Sequence, residues 1–164
     1  MNYSSDLQSA RLLLTTTSLM TDEAFAFIHS QCVFEGKLQN ESLDEWQAQS
    51  FELAFVAARL GAASSLLSSA LVSSGKNSTE DKRVEAKEGA ANAISARVAL
   101  TQVVRTLSSI LGTLAAQAES LGLDRERIFA FWQGEEFAKL EECSAGPKPL
   151  AALGEWVVAS GGAR

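Results

Sequence analysis

The main candidate for a metal-binding or catalytic site is a group of three carboxylates, Asp81, Glu85 and Glu88. At positions i, i+4 and i+7 they share one face of a helix, and carboxylates from two facing helices can hold Mg²⁺. Basic residues interleave with them: Lys82, Arg83 and Lys87. Mixed charge along a helix is typical of a solvated face with weak ion pairs. We therefore expect exposed ion pairs here and keep a metal site at the three carboxylates as the alternative.

A second pair of candidate ligands, His29 and Cys32, lies three residues apart, so both side chains fall on one helical face. Zinc needs three or four protein ligands. The chain has no other histidine, and its only other cysteine is Cys143, so we do not expect a zinc site. The sequence also lacks a G-x-S-x-G nucleophile motif and a glycine-rich phosphate loop. These absences favour a non-enzymatic protein, and no cofactor is expected unless the carboxylates bind Mg²⁺.

Net charge limits the class of partner. The 164-residue chain carries 14 Lys and Arg against 20 Asp and Glu, which gives a net charge of −6. An acidic surface repels phosphate, so we expect no nucleic-acid partner.

Cysteine usage and the lengths of the apolar runs indicate a cytoplasmic protein. Two cysteines far apart in the chain do not form a disulfide framework. The N-terminal segment contains only a three-leucine apolar run, which is too short for a secretion signal. No uninterrupted apolar run approaches about 18 residues, so we expect no membrane span.

Two long periodic patterns decide the predicted fold. In both, apolar and small residues recur at alternating steps of four and three, the rhythm of helices packed side by side. The first arm contains Trp46, Ser50, Leu53, Ala57, Leu60, Ser64, Leu67, Leu71 and Ser74. The second arm contains Ala86, Ala90, Ala93, Arg97, Leu100, Val104, Leu107, Leu111, Leu114, Ala118 and Leu121. We therefore predict an all-α helical bundle built on a long antiparallel helical hairpin, about 43–74 and 79–121.

Shorter helices are predicted to flank this hairpin within one all-α domain, residues 1–164. They are short N-terminal helices within 5–35, an aromatic helix over 125–142 and a C-terminal helix over 149–158. The run Thr15-Thr16-Thr17 is expected to divide the N-terminal helices, because β-branched side chains lose freedom in a helix.

Capping residues and glycines set the remaining predicted boundaries. Ser42 and Glu45 have the spacing of a capping box at the start of the first arm, and Asp124 can cap the aromatic helix. Gly134 interrupts that aromatic helix. The segment Gly75-Lys76-Asn77-Ser78 is predicted to join the two arms.

Two features of these helices are candidates for partner binding. The aromatic helix carries Phe129, Phe131, Trp132 and Phe137 around more than one face, so it is either buried on both sides or partly open to a partner. Arg97 lies in the predicted hairpin seam, where a guanidinium needs either an exit to solvent or a carboxylate partner. Since the rest of the seam contains no acidic residue and no histidine, we expect binding on the outer faces of the hairpin or on the aromatic helix.

The stretch from Leu111 to Glu141, LGTLAAQAESLGLDRERIFAFWQGEEFAKLE, resembles the closing region of MazG-like nucleotide pyrophosphohydrolases. In those all-α bundles a long helix ends at a Leu-Gly-Leu/Ile-Asp turn and another helix follows. The resemblance implies a divalent-metal-dependent hydrolase, in which E-x-x-E and E-x-x-D pairs hold Mg²⁺ against a triphosphate. Residues 94–102 contain no carboxylate, and Glu45 and Glu52 are seven residues apart. The resemblance therefore implies a degenerate metal site.

The sequence as a whole favours a non-enzymatic helical interaction or assembly protein that acts by self-association or by binding a protein partner. The alternative is the divalent-metal-dependent nucleotide pyrophosphohydrolase of the MazG-like type. The identity of the partner and the oligomeric state do not follow from the sequence.

Overall fold

The computed structural model describes residues 3–74 and 82–159, and most of them are helical. The first four helices are α1 (Tyr3–Cys32), α2 (Asn40–Glu45), α3 (Gln47–Ser74) and α4 (Lys82–Ala116). They are followed by α5 (Arg125–Trp132), α6 (Glu135–Ser144) and α7 (Pro147–Ala159). Strands β1 (Val33–Phe34) and β2 (Lys37–Leu38) form a small antiparallel hairpin between α1 and α2. The predicted all-α bundle, built on a long pair of packed helices, is confirmed.

Helices α1, α3 and α4 pack side by side around the hydrophobic core. Glu52, near the start of α3, accepts a 2.7 Å hydrogen bond from Nε2 of Gln117, just beyond the end of α4, so these two helices are antiparallel. Phe27, near the end of α1, packs edge-on against Trp46, just before α3, with ring centroids 5.8 Å apart. Helices α1 and α3 are therefore antiparallel as well. Helices α5 and α6 also pack on α4.

Helix α1 is continuous, contrary to the break predicted at Thr15-Thr16-Thr17. Each of these three hydroxyls donates to the carbonyl oxygen four residues earlier, over 2.9 Å for Thr15, 3.1 Å for Thr16 and 2.9 Å for Thr17. A hydroxyl bonded to its own helix in this way is tolerated in a helix interior. Thr17 is also fully buried, so tertiary packing adds to the local hydrogen bonds and overrides the low helix propensity.

The first arm begins differently from the prediction. Ser42 and Glu45 lie inside the short helix α2 rather than capping a long one, and Trp46 separates α2 from α3. The chain nevertheless stays almost helical through this point, because the Trp46 N–H donates to Ser42 O over 3.1 Å and the Ser50 N–H donates to Trp46 O over 2.9 Å. The predicted connection at 75–78 lies outside the described residues.

The long arm ends in a glycine turn. Helix α4 stops at Ala116, and turns continue to Gly122, which has a φ of +64°. The Leu123 N–H donates to Ala118 O over 2.8 Å, and the Gly122 N–H donates to Glu119 O over 3.3 Å. This pair of bonds with a left-handed glycine is a Schellman motif, which satisfies the last helical carbonyls.

The predicted aromatic helix over 125–142 is two helices, α5 and α6, that meet at Gly134. Asp124 caps α5 as predicted, since its Oδ1 accepts from the N–H groups of Glu126 and Arg127 over 2.9 and 3.3 Å. The final helix begins at Pro147, two residues before the predicted start.

One buried stripe of α3 faces the core. We call it the inner stripe, and its members follow alternating steps of three and four: Leu53, Val56, Leu60, Ala63, Leu67 and Ala70. The predicted seam contained Ala57 and Ser64 in place of Val56 and Ala63, but Ala57 and Ser64 are both exposed. Because α3 is apolar or small on every side, its sequence leaves the direction of the buried face open, and packing against α1 and α4 decides it.

Candidate protein-binding surface on helix α3

A second stripe runs along α3 on the face opposite the inner stripe. We call it the outer stripe, and its members again follow alternating steps of four and three: Phe51, Phe55, Ala58, Ala62, Ser65, Ser69 and Val72. All of them are exposed to solvent. The two stripes together give α3 the pattern of a helix packed on both sides, yet among the described residues only the inner stripe packs against other helices.

The largest side chains of the outer stripe are two phenylalanines at its start. Phe51 is 63% exposed and Phe55 is 61% exposed. Their rings contact each other, with centroids 5.7 Å apart and planes tilted by 52°. Two neighbouring exposed aromatic rings are the kind of anchor that dominates binding energy when a partner covers it.

Shallow grooves lie on both sides of these rings. One, of about 500 Å³, lies between α3 and α4 and is lined by Ala48, Phe51, Glu52, Phe55, Val56, Arg59 and Thr113. The other, of about 340 Å³, lies between α2 and α3 and is lined by Leu43, Asp44, Gln47, Ser50, Phe51 and Ala54. Phe51 lines both grooves, so a partner that covers this ring can also fill the space beside it.

Charge is nearly absent from α3. Its 28 residues contain only Glu52 and Arg59, which are seven residues apart and therefore on the same edge of the helix. That edge faces the groove beside α4. From residue 60 to the end of α3 there is no charged side chain, which is unusual for a helix face in contact with water.

Two serine hydroxyls, of Ser65 in the outer stripe and of Ser73 beside it, already have hydrogen-bond acceptors within their own helix. Ser65 Oγ donates to Gly61 O over 3.0 Å, and Ser73 Oγ donates to Ser69 O over 2.9 Å. Burying these hydroxyls under a partner therefore does not leave a donor unsatisfied, which is the main cost of burying polar groups.

The aromatic residues predicted as a partner surface lie mostly against the core. Phe137 is 1% exposed, so it contributes no contact surface in this fold. Phe129 and Trp132 stack on each other with centroids 6.4 Å apart and planes 2° from parallel. Both rings, together with Phe131, are half-buried and pack against the core. The Arg125 guanidinium covers the Phe129 ring at 5.6 Å, so this cluster has neighbours within the chain.

Arg97 and the candidate metal ligands lie elsewhere. Arg97 is half-buried on α4. Asp81 lies outside the described residues, and so do the side chains of Glu85 and Glu88. Among the side chains that the structure describes, no three His, Cys, Asp or Glu come together as a metal site. The proposed magnesium ligands thus stay a prediction.

Some of the described acidic residues form exposed ion pairs, and two of these pairs shift the pKa values of their members. Glu23 on α1 and Arg127 on α5 form a bidentate pair at 2.7 and 3.0 Å, and its hydrogen bonds lower the pKa of Glu23 and raise the pKa of Arg127. On α6, a hydrogen bond from Lys139 lowers the pKa of Glu135 and raises the pKa of Lys139, with the two groups 2.7 Å apart. The first pair links α1 to α5, and the second links two turns of α6. Neither pair lies on the outer stripe.

Phe51 and Phe55 were not predicted from the sequence as surface residues, because the densest group of aromatic residues follows Gly122. A signal for them was present. Helix α3 contains two charged residues in 28, so it has no charged face to offer to water. The spacing of Phe51, Phe55, Ala58 and Ala62 repeats the rhythm of the inner stripe on the opposite side.

Two helices are long and apolar enough to cross a membrane by length and composition alone. They are Gln47–Ser73 and Asn92–Ala116, and in the apolar 18-residue segment of each, 28% and 56% of the residues respectively are buried inside the fold. Core helices of soluble proteins pass the same test, so this property alone is weak support for a membrane location. The prediction that the chain has no membrane span stays a prediction.

The fold and this surface define an all-α helical bundle in which one long apolar helix face is open to solvent. No protein-family model matches the chain, and no curated protein matches its sequence.

Proposed function

We propose that this chain is a non-enzymatic helical interaction protein that works by self-association or by binding a protein partner, and that the outer stripe of α3 is its binding surface. The observation that supports the proposal most is the pair of neighbouring rings at Phe51 and Phe55, both more than half exposed. The uncharged helix face that continues from them to Val72 extends the apolar surface along the bundle.

A protein partner fits this face better than lipid. The inner stripe of α3 is buried against α1 and α4, so α3 cannot enter a bilayer alone without unpacking the core. Helix α1 exposes Arg11, Asp22 and Glu23, and such charges are costly within the hydrocarbon region. Small residues such as Ala58 and Ala62 let another helix backbone approach closely, which favours a helical partner.

The experiment is photo-crosslinking in cells that express the chain. A benzophenone amino acid replaces Phe55 in one variant and Leu19 in a matched control, since Leu19 is 56% exposed but belongs to α1 and not to the outer stripe. The proposal predicts a discrete protein adduct at position 55 and little or none at position 19. Equal adduct yields at the two positions, or none at position 55, would contradict it.

A further inference from the structure

We infer that the outer stripe binds the outer stripe of a second copy of this chain, with the two α3 helices antiparallel. The inference rests on the proposed function and names the partner. It is supported by the order of large and small side chains, by the charges on the edge of the stripe, and by the length of the face.

The order of side chains along the stripe complements itself. Phe51 and Phe55 come first, and Ala58 and Ala62 follow at the same spacing. In an antiparallel pair with its twofold axis midway between Phe55 and Ala58, Phe51 of one copy faces Ala62 of the other, and Phe55 faces Ala58. Each layer then joins one phenylalanine to one alanine, as knobs fit into holes. A parallel pair instead places phenylalanine on phenylalanine and alanine on alanine, which overfills two layers and leaves space in the others.

The edge charges match in the same register. Glu52 and Arg59 lie on one edge of α3, and in an antiparallel pair the equivalent edges of the two helices meet. Glu52 of one copy, whose Oε2 also accepts from Gln117 of its own copy, therefore faces Arg59 of the second copy, and the twofold axis produces this pair twice. Exposed ion pairs contribute little affinity, but their signs select one register over others. The rest of the stripe is uncharged, so it brings no local repulsion despite the net charge of −6.

The size of the face indicates a weak, reversible dimer. The overlap in this register covers about 20 residues of each α3, a strip about 30 Å long and about 10 Å wide. That is at the low end of specific interfaces, where association is transient. The antiparallel helix dipoles also attract each other. We therefore expect a dissociation constant in the micromolar range.

Charge exchange across the interface tests the partner and the register together. Four chains are compared by sedimentation equilibrium from micromolar to millimolar concentration: the wild type, Glu52→Arg, Arg59→Glu, and the chain with both changes. Each single change places like charges opposite each other twice and is expected to weaken dimerisation about tenfold. The double change restores opposite charges and is expected to return the dissociation constant to within about threefold of the wild type.

The two residues are too far apart on one helix to pair within a copy, so the rescue reports contact between copies. Circular dichroism confirms that all four chains keep their helix content. A wild type that stays monomeric overturns the inference, and so does a double variant that associates no better than the single ones. If the wild type is monomeric but position 55 still crosslinks to a different protein, the inference fails and the proposed function stands. Binding to phospholipid vesicles in place of self-association contradicts both the inferred dimer and the proposed function as a protein-binding chain.

Discussion

Gly122 is the residue on which the end of the long helix depends. Its φ of +64° closes the Schellman turn after α4 and turns the chain toward α5. The position is also crowded, because a Cβ added there would overlap the ring of Phe27. Phe27 in turn packs edge-on against Trp46, so the glycine, α1 and the start of α3 meet at one point.

Gly122→Ala is expected to lower the free energy of unfolding by at least about 2 kcal/mol. The left-handed conformation costs a non-glycine residue about 1–2 kcal/mol, and displacement of the Phe27 ring adds to this. Urea unfolding followed by circular dichroism measures the change. Gly61→Ala is the matched control, because nothing lies within 4 Å of that position on the exposed side of α3. The control is expected to gain about 0.5–1 kcal/mol, and a loss of similar size in both variants would refute this account of Gly122.

At the scale of elements, α3 has two faces with different roles. Its inner stripe is buried between α1 and α4 and stabilises the fold, whereas its outer stripe has no neighbour within the described chain. Leu53 and Phe51 show the contrast most clearly, since they lie two residues apart with exposed fractions of 1% and 63%. Stability and association should therefore respond to different residues of the same helix.

Leu53→Ala is expected to destabilise the monomer by about 2–5 kcal/mol, because it leaves a cavity in the core. Phe51→Ala is expected to change the stability of the dilute chain by less than about 0.5 kcal/mol, since most of the ring is in water. Thermal unfolding at low concentration measures both. If Phe51→Ala proved as damaging as Leu53→Ala, the ring would be part of the core and the outer stripe would lose its assigned role.

The hairpin of long helices could be predicted from the sequence because the four-and-three rhythm extends over many turns. Two features of the fold could not be predicted from the sequence: the continuity of α1 and the register of the inner stripe. The run Thr15-Thr16-Thr17 stays helical because its hydroxyls bond carbonyls of the same helix and because Thr17 is buried, and burial is decided by packing with other elements. The register of the inner stripe was ambiguous because α3 offers apolar or small residues on every side, as Val56 and Ala57 illustrate.

The candidate site was only partly predictable for the same reason. Sequence patterns identify aromatic residues but do not say which of them find neighbours. Phe137 became core and Phe55 stayed exposed, although both lie on helices with apolar residues nearby. The neighbour of an aromatic ring comes from a distant part of the chain, so local spacing alone cannot assign it.

At the scale of the whole molecule, the bundle combines an acidic surface with one uncharged helix face. The net charge of −6 repels copies at long range, while in the proposed dimer the outer stripe attracts at contact. Added salt screens both this repulsion and the proposed Glu52–Arg59 pairs, and because exposed pairs contribute little, association is expected to strengthen modestly as ionic strength rises. This balance suits a protein whose association is reversible rather than obligate.

The most direct measurement is the mass of the chain in solution as a function of concentration, by light scattering after size separation. The wild type is compared with a chain that carries both Phe51→Ser and Phe55→Ser. The mass of the wild type is expected to rise from 17.5 kDa toward twice that value as concentration increases, while the double variant stays at 17.5 kDa. A wild type of 17.5 kDa at every concentration, or a double variant that associates equally well, would contradict the claim that the outer stripe holds two copies together.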